Sequence, residues 1–353
     1  MLRRAAPTPR RALLRPPRAA AAAEAAAAPR RHSSSVVAAE LDQRADAAPD
    51  DAALVVPHQG IRWSYGELRT RAQSLAAGLH VAGYAPGDAV MMWLPSVAEN
   101  VLVQLAAAIG NVRVVTVKDA DGMAKLEALQ CKGIITSLEN HLSSGKAAPG
   151  SAIIPPIVTD TQQVTGDFLR FSELLDLGTS TGSAGLSTPP SAGPATDADA
   201  ATQYFYNSAK GMSQAELISA GDAAAAELAL GPADSVCLPI TLNHSFGFGS
   251  GAMAALRSGA TLVLPSATPG NSGDTLAAIT DHGCTVLYAD THTLKGMLSE
   301  EEAAAGNLDL PEAFRGGLVK IGSGERIGLA EPRLVDGREL MTVGKPAAAT
   351  HAH

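Results

Sequence analysis

The 353-residue chain has little cysteine, no long uninterrupted apolar run and, beyond its first thirty or so residues, no concentration of positive charge. Each shortage excludes a class of protein. Cys131, Cys237 and Cys284 lie far apart and form no CxxC or Cys/His spacing of the kind zinc sites use, which argues against a structural metal. Two of the three sit inside apolar segments, Val236-Cys237-Leu238 and Cys284-Thr285-Val286-Leu287, a pattern that suits buried thiols in a reducing compartment rather than a disulfide framework. No stretch of about 18 to 20 apolar residues escapes charge or frequent Gly and Pro, and the Ala-rich stretches are too mildly hydrophobic to cross a bilayer, so no transmembrane segment is expected. The missing basic patches exclude a nucleic-acid partner. What remains, 46% hydrophobic and 18% charged, fits a folded α/β protein with one sizeable domain or two modest ones.

The N-terminus is of different material. Arg3, Arg4, Arg10, Arg11, Arg15, Arg18, Arg30 and Arg31 lie among alanines and prolines with a single acidic residue, Glu24, ahead of Ser33-Ser34-Ser35. Arg-rich, acid-poor, small-residue composition is that of an organellar targeting segment, so residues 1–32 are read as a mitochondrial transit peptide, with Arg31-His32-Ser33 as a processing point. Removing those eight arginines and one glutamate takes the formal charge from −8 to −15, and a polyanion of that kind repels nucleic acid and anionic lipid.

Along the rest of the chain, strand and helix signals alternate. Ile61 to Leu68 reads as a short strand running into a helix, with Ser64 as cap and Glu67 three residues later. Leu68, Ala72, Leu75, Ala76 and Leu79 form its apolar face until Gly83. Ala89 to Leu94, Val112 to Val117 and Gly133 to Thr136 read as strands, with a helix from Ser96 to about Gly110. Residues 178–200 hold almost no large apolar side chain and are read as a flexible linker. Strands at Asp234–Pro239, Ala260–Leu264, Cys284–Tyr288 and Leu318–Ile321 then follow, with helices at Gly247–Leu256 and Asp274–His282. The expected organisation is α/β: a first lobe at 33–177, the linker, a second lobe at 201–346 and a tail at 347–353.

Several of these segments, in this order, resemble the acyl-CoA synthetase branch of the adenylate-forming (AMP-binding) enzymes. They are Trp63-Ser64-Tyr65-Gly66-Glu67-Leu68, Gly87-Asp88-Ala89-Val90, the stretch from Leu238-Pro239 through His244-Ser245-Phe246-Gly247-Phe248-Gly249 to Gly259-Ala260-Thr261, Gly322-Ser323-Gly324-Glu325 and Val343-Gly344-Lys345-Pro346. The resemblance covers roughly residues 55–346 and implies two stacked βα lobes, like the large domain of such a synthetase. It implies that His244, Phe246 and Gly247 lie near an acyl pocket, and that Gly322, Gly324 and Glu325 border an adenine slot.

The departures matter as much. The family's phosphate loop is rich in Ser, Thr and Gly and ends in Pro-Lys-Gly, whereas this chain reads Tyr206-Asn207-Ser208-Ala209-Lys210-Gly211-Met212-Ser213. Tyr206, Ser208 and Gly211 look like survivors, and Lys210 stands too early for the family's lysine. Non-glycine residues avoid the positive φ that amide nests around phosphate use, so a surface turn before a helix is expected here. Residues 326–342 contain no tyrosine, so the family's Tyr-Gly-x-Thr-Glu segment, and with it the magnesium ligand, has no counterpart. Nothing after Pro346 matches the small C-terminal domain, so the expected fold is a truncated large domain. No catalytic residue, metal or cofactor is expected; Ser208, His244, Phe246, Gly247, Gly322, Gly324 and Glu325 are the candidate remnants of a ligand site. The functional expectation is a non-catalytic matrix or inner-membrane-associated protein, an accessory subunit contacting other protein subunits of a large mitochondrial assembly. Respiratory complex I is the first choice, by analogy with accessory subunits related to metabolic enzymes. The alternative is a sensor that binds an acyl group or adenine nucleotide without turnover, and the third reading is an active acyl-CoA ligase.

Overall fold

Ser64 and Glu67 close a reciprocal cap: the Glu67 amide donates to Ser64 Oγ at 3.2 Å and the Ser64 amide to Glu67 Oε2 at 2.9 Å. The expected helix starts there and buries Leu68, Ala72, Leu75, Ala76 and Leu79. The computed structural model describes residues 35–143, 153–159, 164, 166–185, 200–290, 293, 311–321, 326–335 and 338–343. The expected transit peptide, the 347–353 tail and residues 186–199 of the expected linker lie outside them.

In chain order the first elements are α1 (Val36–Ala47), β1 (Ala52–Val56), β2 (Ile61–Ser64), α2 (Tyr65–Val81), β3 (Ala89–Trp93), α3 (Ala98–Gly110) and β4 (Arg113–Thr116). Then come α4 (Lys125–Ala128), β5 (Cys131–Ser137), α5 (Leu138–Ser143), β6 (Ile157–Thr159), β7 (Leu169–Arg170), α6 (Phe171–Gly185), β8 (Ala201–Tyr204), β9 (Met212–Ser213) and α7 (Gln214–Glu227). The last are β10 (Ser235–Cys237), α8 (Met253–Ser258), β11 (Thr261–Val263), α9 (Ser272–Asp281), β12 (Val286–Asp290), β13 (Gly317–Ile321), β14 (Arg326–Val335) and β15 (Arg338–Val343). β13 is thus not the final strand; an antiparallel pair continues the sheet beyond it.

The strands form two sheets, one in the order β7-β6-β5-β3-β4-β8-β9 and one in the order β15-β14-β13-β12-β10-β11-β1-β2. Both are parallel through their centres, and both end in antiparallel strands, β9 in the first and β2, β14 and β15 in the second. The mixed α/β architecture is the expected one, but the sheets do not divide at 178–200. β1 crosses into the second sheet, pairing parallel to β11 with Leu54 opposite Leu262 and Val55 opposite Val263, while β8 and β9 complete the first. A strand buried on both faces reads as a plain apolar run, so its pattern does not reveal which neighbour it joins.

The 178–200 stretch is also corrected at its start, because α6 runs through Gly178 to Gly185. Its small residues let it lie against α2: a Cβ at Gly178 would collide with the Ser74 carbonyl oxygen, and one at Gly78 with that of Leu174. Low apolar content here records close backbone contact between two helices. α3 is buried on nearly every side, including Asn100 and Gln104, and its end is turned by Asn111 at φ 54°. All three cysteines are buried, as expected.

Candidate functional site

The parallel strands of both sheets point their C-terminal ends at one cleft of about 640 Å³. Clefts at such strand ends are where open α/β sheets bind ligands. Trp93 comes from the end of β3, Lys118 from just after β4 and Tyr206 from just after β8; Asn243, His244 and Phe246 follow β10, and Asp290 and Lys320 stand at the ends of β12 and β13.

Its frame is a buried chain of amides. Gln203 donates to Gln104, Gln104 to Asn100 Oδ1 at 2.8 Å, and Asn100 to Asn243 Oδ1 at 3.0 Å. Asn243 Nδ2 then donates to the carbonyls of Leu94 at 2.9 Å and Val117 at 3.2 Å. Asn100, Gln104 and Asn243 thereby all have partners for their buried side-chain atoms, and the turn that carries His244 is tied to both sheets.

His244 is the centre of the site. Its Nδ1 accepts from the Phe246 amide at 2.9 Å, its Nε2 lies 3.2 Å from Lys320 Nζ, and the Tyr206 ring meets it edge-on at 5.6 Å. Burial, and then the adjacent Lys320, pull its pKa down to about 4, so the ring is neutral at physiological pH. Burial lowers the Lys320 pKa too, opposed by Asp290 on the neighbouring strand. Phe246 is buried against Tyr288, ring centres 4.5 Å apart, and Lys320 Nζ sits 5.9 Å from the Phe246 ring centre.

Of the expected site residues, the structure brings His244 and Phe246 together in the cleft. Gly247 is not among the residues lining the cleft; a Cβ there would strike the Thr241 carbonyl oxygen, so the glycine lets the turn close. Ser208 lies in the tight β8–β9 connection, where its Oγ donates to the Lys210 carbonyl at 2.7 Å and accepts the Lys210 amide at 3.2 Å. Asn207 is held by Ser245 through bonds of 2.9 and 3.0 Å, and Lys210 Nζ pairs with Glu216 at 3.2 Å. The connection puts Lys210-Gly211 directly before β9. Gly322, Gly324 and Glu325 lie outside the described residues.

Sequence reasoning missed Lys320, Asp290, Lys118 and Trp93. Lys320 left one signal, a charge set inside the apolar strand Leu318-Val319-Lys320-Ile321. For the magnesium ion that the resemblance implies, the described lining offers one carboxylate, Asp290, whose Oδ1 already accepts from the Thr293 amide and hydroxyl at 2.8 and 2.9 Å. One carboxylate does not make the oxygen set that ion needs, so the described residues do not fit it.

Two parallel sheets meeting over a His-bearing cleft are what the resemblance implied, and residues 41–333 match the AMP-binding enzyme family. The chain belongs to that family. Over 310 residues it is 27% identical to the mitochondrial medium-chain acyl-CoA ligase ACSF2 of Danio rerio, covering 79% of this chain and 50% of that protein. Over 261 residues it is 28% identical to acyl-CoA ligase SID4 of Ajellomyces capsulatus, covering 68% of this chain and 43% of the relative. The chain thus spans about half the length of these relatives. In fold it is similar to a benzoate CoA ligase of Burkholderia xenovorans, with a TM-score of 0.66 and 22% identity over 86% of this chain and 65% of that one.

Proposed function

We propose that this AMP-binding family member is a non-catalytic binding module, whose cleft holds an acyl ligand without adenylating it. The observation that carries the reading is the β8–β9 connection. Where the family binds ATP phosphates, Ser208 is turned onto Lys210, Asn207 onto Ser245 and Lys210 onto Glu216. Those side chains answer one another and leave few donors for a triphosphate. The cleft itself has an apolar wall of Trp93, Ile240 and Phe246 beside His244, as a carboxylic acid with an apolar body requires. Calorimetric titration of the purified full chain with carboxylates, AMP and ATP tests this. Binding of a carboxylate with no measurable binding of ATP is expected; ATP binding that drives acyl-adenylate formation would contradict it.

The wider reading, an accessory subunit of a mitochondrial assembly, is supported by the Arg-rich first 32 residues and by relatives named as mitochondrial ligases. Nothing among the described residues singles out respiratory complex I. On blue-native gels of solubilised mitochondria the chain should migrate within a large complex, and a sole band near monomer mass would contradict that reading.

A further inference from the structure

The His244–Lys320 pair has a hydrogen too many. The Phe246 amide donates to Nδ1 at 2.9 Å, so the single hydrogen of the neutral ring sits on Nε2. Protonating the ring would add a hydrogen to Nδ1, against the Phe246 amide, and would leave Nε2 as it is. With Lys320 as the ammonium, an N–H faces its Nζ at 3.2 Å in both ring states, donor against donor. The arrangement is relieved by an anionic oxygen that accepts from both.

A second cation lines the same cleft from the other sheet. Lys118 follows β4, is exposed and has no ion-pair partner among the described residues. Among the described residues the charged groups lining the cleft are Lys118, Lys320 and Asp290, and Asp290 Oδ1 accepts from Thr293. In a chain with a formal charge of −8, this lining carries a positive excess.

The geometry points to a dicarboxylate as the ligand of this cleft, one carboxylate bridging His244 Nε2–H and the Lys320 ammonium and the other answering Lys118 on the opposite wall. The inference rests on the binding-module reading above and narrows it, because a monocarboxylate bridging His244 and Lys320 would leave Lys118 without an anionic partner. Trp93, Ile240 and Phe246 supply the surface for the methylene chain between the two charges.

The test is calorimetric titration of the full chain with succinate, glutarate and adipate against butyrate, pentanoate and hexanoate, in wild type, Lys118→Met and Lys118→Arg, with thermal unfolding confirming that each variant is folded. At least one dicarboxylate should bind tenfold or more tighter than its monocarboxylate of equal length. Lys118→Met should remove that preference while leaving the monocarboxylate unchanged, and Lys118→Arg should retain it. Equal binding of the two series, or a preference that survives Lys118→Met, would overturn the dicarboxylate inference and leave the acyl-binding reading intact. No binding by either series would overturn both.

Discussion

Thr116 and Asn243 join the two sheets through one hydroxyl: Thr116 Oγ1 donates to the Asn243 carbonyl at 2.6 Å and accepts the Tyr206 amide at 3.1 Å. Thr116 and Asn243 are both buried, so the Asn243 carbonyl cannot turn to water if the hydroxyl is lost. Thr116→Val keeps the shape and removes both bonds. Such a loss costs about 1–3 kcal/mol per group left without a partner, and urea denaturation should show a destabilisation of that size, with Thr116→Ser close to wild type. A Thr116→Val protein as stable as wild type would mean that the hydroxyl does not hold the sheets.

The α2–α6 contact makes a second prediction. A methyl group at Gly178 has no room against the Ser74 carbonyl, and the obstacle is backbone, which moves only with its helix. Gly178→Ala should destabilise by about 1–3 kcal/mol, the usual cost of overpacking, although alanine favours helices. A gain in stability, as expected for glycine replaced in a flexible linker or an exposed helix, would restore the linker reading of this segment.

His244 sets a pH dependence. Its pKa lies near 4 in the folded chain, against an ordinary value of 6.5, because burial and Lys320 disfavour the charged ring. Between those values the unfolded chain binds more protons, so this contribution to stability is full above pH 6.5 and is lost as pH falls towards 4. His58, also lowered by burial, acts in the same direction. The comparison must therefore be with His244→Gln. Urea midpoints from pH 4 to 7.5 should rise less steeply in the variant; equal slopes would show that the ring is not held neutral.

Much of this fold could be read from residue patterns. Ser64 and Glu67 announced α2, Gly83 its end, and the runs at Ala89–Leu94 and Cys284–Tyr288 marked strands that are now seen to be central. Partnership could not be read, because β1 and β11 carry the same kind of apolar run as every other buried strand, and nothing in Leu54 says that it lies opposite Leu262. Composition also misled at Gly178, since small residues suit a linker and a tight helix crossing equally well. For the site, His244 and Phe246 stood out by their motif. Lys320, Asp290 and Lys118 did not, because their meeting depends on how two sheets bring distant strand ends together.

The absence of adenylation is the claim on which the functional reading stands, and exchange of labelled pyrophosphate into ATP measures it directly. The purified full chain, supplied with magnesium, ATP and mono- and dicarboxylates, is expected to give exchange no higher than a heat-killed control. Exchange above that control, dependent on the carboxylate and abolished by Lys210→Ala, would show that the β8–β9 connection opens to hold phosphate and that the chain is a working ligase domain.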